Sequence, residues 1–291
     1  MVLLSWTLDI TALAGMTVVG AAYFRCRRAA AAVSRGQSWC FAAGLLVWAV
    51  ATFSAVGVYA PVLFWVRALQ VLLLLFVAPF LLALGRPLAA VLAGSGAGRR
   101  VVEWALASAV GRCVLSPPVT SIAMLATPWL LYLTPWYEAS MRGPLAVATR
   151  MVLVVIGFGY FYARLQADPV PKQYSPLLSL GISVVESLAD GLLGVVLWLG
   201  PIVASDYYAA LHRDWGPTQR VDQSIGAGIL WIVGDLVGIP FVLVLMRALG
   251  RDERRKADRV DAELAAEPPA EGSPTLWWEN DPVLRERFGM R

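Results

Sequence analysis

The stretch RALQVLLLLFVAPFLLALG, residues 67 to 85, is apolar at nearly every position. It is long enough to cross a bilayer, for which a helix needs roughly 20 such residues. Runs of the same kind recur along the chain. Arg, Pro and Gly punctuate them into seven segments, 5–24, 39–59, 61–85, 119–136, 146–164, 177–200 and 224–249, each predicted to span the membrane as a helix. The expected fold is all-α, a polytopic bundle of seven transmembrane helices. The stretch VVEWALASAVGRCVLSPPV, 101 to 119, mixes apolar and charged positions and breaks at Pro117-Pro118. Its first part is expected to lie on the surface as an amphipathic helix, the alternative being a poor eighth span.

The basic residues beside these segments set an expected orientation. Arg25, Arg27, Arg28 and Arg35 follow the first segment, Arg86, Arg99, Arg100 and Arg112 the third, Arg164 and Lys172 the fifth, and Arg247, Arg251, Arg254, Arg255, Lys256 and Arg259 the seventh. All lie on one side if seven spans is right, and the positive-inside rule makes that side cytoplasmic. The N-terminus is then outside and the C-terminus inside, in a multi-pass protein of a bacterial-type plasma membrane. No cleavable signal peptide is expected, because the arginines follow the first apolar run rather than precede it. Residues 1–250 read as one membrane domain and 251–291 as a charged cytoplasmic tail. The closing LWWENDPVLRERFGMR, with Trp277 and Trp278, suits an interfacial anchor; a partner-docking tail is the alternative.

Composition agrees with the pattern: the 291 residues are 58% hydrophobic and 15% charged. The net charge of +4 serves topology and anionic-lipid contact, and nucleic acid is not an expected partner. Cys26, Cys40 and Cys113 match no metal-binding spacing, and His212, in the segment ALHRDWGP, is the single histidine. No phosphate-cradling glycine motif, HExxH pattern, Ser/His/Asp set or haem-attachment motif occurs, so an enzyme is not expected.

Polar residues at membrane depth are costly and mark sites by default. Arg67 lies roughly 9 Å below the predicted outer end of its segment, with Gln70 one turn on. It can either snorkel outward or point into the bundle. Glu186 and Asp190, four apart, share a helix face. Asp190 and Asp235 lie roughly 15 and 16 Å from their outer ends, hence at one depth. Each carboxylate either hydrogen-bonds a neighbouring helix or belongs to a site.

The order of motifs resembles the CtaG-like cytochrome c oxidase assembly factors. The resemblance runs from WTLDITALAG and GQSWCFAAGLLV through VAPFLLALGRP, PPVTSIAML, LYLTPWYE, GYFYARLQADPVP and GLLGVVLW. It is most specific in DYYAALHRDWGPTQRVDQSIGAGILWIVGDL, where Asp206, Tyr208, Trp215, Gly216, Pro217, Asp222, Gln223, Gly226, Gly228, Trp231 and Gly234 fall as the family pattern requires. The resemblance implies a seven-helix factor associated with copper insertion, its partners being cytochrome oxidase subunits or other assembly factors.

The departure lies in the histidines. Typical members carry histidines where this chain looks to have Arg67 and Val71, and further ones where it has Val152 and Asp190. Neither valine nor arginine replaces an imidazole as a copper ligand, and Met141 and Met151 are too isolated for a thioether site. No cofactor and no metal ligand is therefore expected, although the resemblance keeps copper in view. The expectation is a scaffold or chaperone without a stable copper site, with an Arg67–Asp190 ion pair where two ligands stood. An accessory subunit of a respiratory complex is the alternative, and a cation or proton pathway through Glu186, Asp190 and Asp235 a third.

Overall fold

A computed structural model describes residues 5–27, 33–94, 96–165 and 176–266. The chain divides into two compact units, Met1–Met246 and Arg247–Arg291. Regular structure among the described residues is entirely helical. The closing LWWENDPVLRERFGMR lies outside the described residues.

The first unit starts with α1 (Ile10–Arg27) and α2 (Arg35–Phe53). A capping box opens α2: the Ser34 hydroxyl accepts from the Gln37 N–H, while the Gln37 side chain accepts from the Ser34 N–H. Ser54 ends α2 and its hydroxyl caps the short α3 (Ala55–Tyr59). The opening apolar stretch folds as α4 (Phe64–Leu72), a π-helical turn at Leu73–Val77, and α5 (Ala78–Leu84). Pro79 explains the turn, since its ring nitrogen cannot donate to the Leu75 carbonyl and the ladder must widen.

Then follow α6 (Pro87–Ala93), α7 (Ala97–Ala107), α8 (Ala109–Val114), α9 (Pro117–Leu133), α10 (Trp136–Ala139) and α11 (Gly143–Leu165). After them come α12 (Pro176–Leu199), α13 (Ser205–Ala210), α14 (Gln219–Gly228), a second π turn at Ile229–Val233, and α15 (Gly234–Ala266). Helices α7 and α8 bury no residue, and Val101 and Trp104 are exposed. Beyond Met246, the described residues of the second unit, up to Ala266, are helical.

Each of the seven predicted segments coincides with a helix, but among the described residues five stretches by themselves are long and apolar enough to cross a membrane. They are Arg35–Tyr59, Phe64–Ala93, Gly143–Leu165, Leu180–Leu199 and Gln219–Glu263. The other two fall short for different reasons. Arg25 and Arg27 dilute the apolar run of α1, and α9 has only 17 residues.

The stretch Phe64–Ala93 is the most buried of the five. Its π turn meets α11 at Gly157, where an added Cβ would stand 2.0 Å from the Leu75 carbonyl oxygen. Only glycine admits that approach. Around this crossing Leu74, Leu75, Ala78, Leu153 and Phe161 form the core, and the Tyr23 ring stacks on Phe41 at 3.7 Å while its hydroxyl donates to the Gly85 carbonyl.

Candidate functional site

Arg67 and Gln70 stand three residues apart on α4, so their side chains meet on the face turned into the bundle. Arg67 is 2% exposed, which excludes outward snorkelling. One guanidinium nitrogen donates to the Gln70 carbonyl oxygen at 2.7 Å and the other to the Ser140 hydroxyl at 2.8 Å. Both acceptors are held in turn: Ser140 donates to the Tyr137 carbonyl, and the Gln70 amide to the Ala51 carbonyl at 2.9 Å. Phe64, Tyr132 and Tyr137 pack together beside it, with ring centroids 5.3 to 5.6 Å apart. Tyr137 and Tyr208 share a hydrogen bond of 2.7 Å, and burial pushes both phenols well above their ordinary pKa, so both stay neutral.

The expected Arg67–Asp190 ion pair does not form. Asp190 instead lines a cavity of about 670 Å³ between α11, α12 and α15 together with Glu186 and Asp235, and Ser187 donates to Asp235 at 2.6 Å. A helical period predicts the height of each group along its axis but not the direction in which the packed helix turns it. Arg67 also finds neutral acceptors closer to hand than a carboxylate on another helix.

Glu186 takes a partner that the sequence pattern assigned to membrane topology. Arg164 is enclosed rather than cytoplasmic-facing, 1% exposed, with its guanidinium 3.0 Å from Glu186. It also donates to Ser121, to the Tyr160 hydroxyl and, at 2.6 Å, to Ser183, and it lies over the Tyr160 and Phe241 rings. Tyr160 donates to the same carboxylate at 2.6 Å. The spacing of Tyr160 and Arg164, one turn apart on α11, is the signal that sequence reasoning passed over. A second omission is Arg150, inside the predicted fifth segment, which ion-pairs with Asp9 at 2.6 Å. Burial pushes the Asp9 carboxyl up, but hydrogen bonds from the Ala12 N–H and from Arg150, with the Arg150 charge, bring it below its ordinary value.

The motif-rich segment builds a fastening. Asp222, 2% exposed, accepts from the Trp65 N–H in the first turn of α4 at 2.9 Å and pairs with Arg213 at 3.3 Å. Gln223 donates to the Leu197 and Pro201 carbonyls and accepts from the Val203 N–H, closing the turn between α12 and α13 with one amide. Trp215 stands edge-on to Tyr59 and Trp231 rests on α12 at Gly191 and Gly194, whereas Asp206 is exposed and accepts only from Ser205.

The positions that carry histidine in typical relatives do not make a copper donor set. Val71 and Asp190 border one small cavity of about 20 Å³, but Val71 is apolar, and both terminal guanidinium nitrogens of Arg67 are committed to Gln70 and Ser140. Val152 is partly exposed on the far face of α11. One carboxylate without imidazole or thiolate does not fit copper.

Comparisons with known proteins agree with the motif order. A family model described as cytochrome c oxidase caa3 assembly factor matches residues 19–252. An uncharacterized protein of Mycobacterium leprae is 27% identical over 273 residues, 88% of this chain and 41% of that protein. Uncharacterized proteins of Mycobacterium bovis and Mycobacterium tuberculosis are each 26% identical over 246 residues, 78% of this chain and 37% of theirs. The chain thus spans about two-fifths of the length of these relatives. No solved structure matches.

Proposed function

Because the chain belongs to the cytochrome c oxidase caa3 assembly factor family, we propose that it serves oxidase biogenesis as a membrane scaffold or chaperone that holds an apo-subunit or passes copper between partners, without a stable copper site of its own. The observation that carries this reading is the division of labour among the motif residues. The fastening made by Asp222 and Gln223 is intact, while the ligand positions hold Arg67, Val71, Val152 and Asp190. A framework kept without its donors fits positioning of partners better than chemistry on a metal. The membership likewise favours a non-catalytic role.

The proposed arrangement has seven spans in a bacterial plasma membrane, with α1 and α9 completing the five self-sufficient stretches and the N-terminus outside. Packing supports it: α1 and α9 contribute Ala12, Met16, Met124 and Leu131 to the same core as the longer spans. Short or diluted spans are tolerated where neighbouring helices cover them.

Deletion of the gene tests the assembly role. Oxidase activity should fall, and added copper should restore it at least in part. Stoichiometric co-purification with active oxidase, with no change in copper content of the enzyme on deletion, would replace this reading with that of an accessory subunit. Oxidase activity and abundance unchanged by deletion would remove both.

A further inference from the structure

At one end of the bundle, residues 7–10, the ends of α2 and α3, the start of α4 and the first turn of α11 surround a cavity of about 380 Å³. Its charge is unbalanced. Three guanidinium groups, Arg67, Arg142 and Arg150, line it against a single carboxylate, Asp9. Asp9 already accepts from Arg150 at 2.6 Å and from the Ala12 N–H at 3.0 Å, so cations outnumber anions around the space.

Arg67 is the more telling of the pair that remain. Its terminal nitrogens meet only the neutral oxygens of Gln70 and Ser140, and its Nε is buried with no hydrogen-bond acceptor. The Thr52 hydroxyl, on a residue 2% exposed in the same wall, is also buried without a partner, as is the Arg150 Nε. An arginine cannot shed its charge to escape such a setting, and a buried cation without a counter-charge is costly. Gly143, Ala146 and Val147 bring the N-terminal end of α11, with its partial positive charge, to the same space. Arg142 stands exposed nearby, its guanidinium 5.3 Å from the Tyr207 ring centroid.

We infer that this cavity binds an oxyanion of the phosphate type, with Arg67, Arg150 and the Thr52 hydroxyl around its oxygens and Arg142 alongside. Guanidinium forks and a hydroxyl suit tetrahedral oxygens arranged for charge-assisted hydrogen bonds. The space exceeds a single phosphate, and Leu8 and Ile10 in its lining are strongly exposed apolar side chains. The same chemistry therefore serves either a free oxyanion or the phosphate of a lipid headgroup whose chains run along that apolar rim.

The experiment uses the full-length protein purified in an uncharged detergent. Inorganic phosphate is titrated against sodium chloride at equal ionic strength, with calorimetry and melting temperature as readouts. In a second arm, native mass spectrometry compares retained phosphatidylglycerol with phosphatidylcholine. Saturable phosphate binding that raises the melting temperature supports a free oxyanion; retention of phosphatidylglycerol alone supports the headgroup. Arg67→Gln should weaken binding by about tenfold or more. Because Arg67 also belongs to the core, Arg142→Gln and Thr52→Val are the companion variants, expected to weaken binding by about threefold each with the anion-free melting temperature unchanged. Equal response to phosphate and chloride together with equal retention of both lipids would overturn the inference, as would binding indifferent to Arg142→Gln and Thr52→Val. None of these readouts involves oxidase assembly, so the inference stands or falls apart from the proposed function.

Discussion

The Arg164 guanidinium lies 3.0 Å from the Glu186 carboxylate, joining α11 to α12 in a setting where the arginine side chain has no solvent exposure. Ser121, Tyr160 and Ser183 accept from it as well, so the cation is tied to α9 and α12 besides its own helix. Breaking one half of such a pair is far more costly than replacing both. Arg164→Met should lower stability by roughly 3–5 kcal/mol, while Arg164→Met combined with Glu186→Met should recover much of the loss. Thermal melting in detergent reads both, and an unchanged midpoint for the single variant would count against the pair.

The crossing of α11 over the π turn gives a size test. Gly157→Ala would put a methyl 2.0 Å from the Leu75 carbonyl oxygen, and the backbones must separate. Overpacking of this kind costs typically about 1–3 kcal/mol. Gly159→Ala, two residues on with nothing within 4 Å, should change stability by no more than about 0.5 kcal/mol. Equal effects of the two would contradict the close approach.

Asp222 acts on α4 as a distant N-terminal cap, accepting from Trp65 across the fold, and as the partner of Arg213. Asp222→Ala removes both and should cost about 1–3 kcal/mol. Asp222→Asn keeps an acceptor for the Trp65 N–H but drops the charge, so its melting temperature should fall between wild type and the alanine variant. An asparagine variant no better than alanine would show that the charge, and not the cap, is what matters.

Asp9 stands one residue before α1, and its pair with Arg150 of α11 predicts a pH dependence. The folded state holds the Asp9 carboxyl below its ordinary value, so it favours the ionised form. The stabilisation is complete above the unfolded value of about 3.9 and fades as pH falls through the lower folded value. The melting-temperature gap between wild type and Asp9→Asn should therefore be constant from pH 7 to about 5 and close in the acid range. A gap that widens on acidification would reverse the sign and reject this assignment.

Several elements were legible without coordinates. Apolar runs separated by Arg, Pro and Gly coincide with helices at all seven predicted segments, and among the described residues five of these are long and apolar enough to span, because length and apolarity are written directly in the residues. The amphipathic pattern of residues 101 to 119 coincides with exposed helix, although the chain bends at Ser108 as well as before Pro117. Of the polar candidates, Arg67 and Gln70 border one cavity and Glu186, Asp190 and Asp235 another. Arg164 and Arg150 were not among these candidates, since an arginine at the end of a span looks the same on paper whether it points to water or folds back into the bundle.

The sequence by itself determined the helical class, the positions of the helices, the spacing of polar groups along each helix and the motif order that marks the family. Tertiary structure alone decided which polar groups meet: Arg67 with Gln70 and Ser140, Arg164 with Glu186, Arg150 with Asp9, and Asp190 beside Asp235 rather than beside Arg67. Spacing follows from a rise of about 1.5 Å per residue along one axis. The azimuth of each side chain follows from how ridges, glycines and a proline-induced π turn pack one helix against another, and no single segment contains that information.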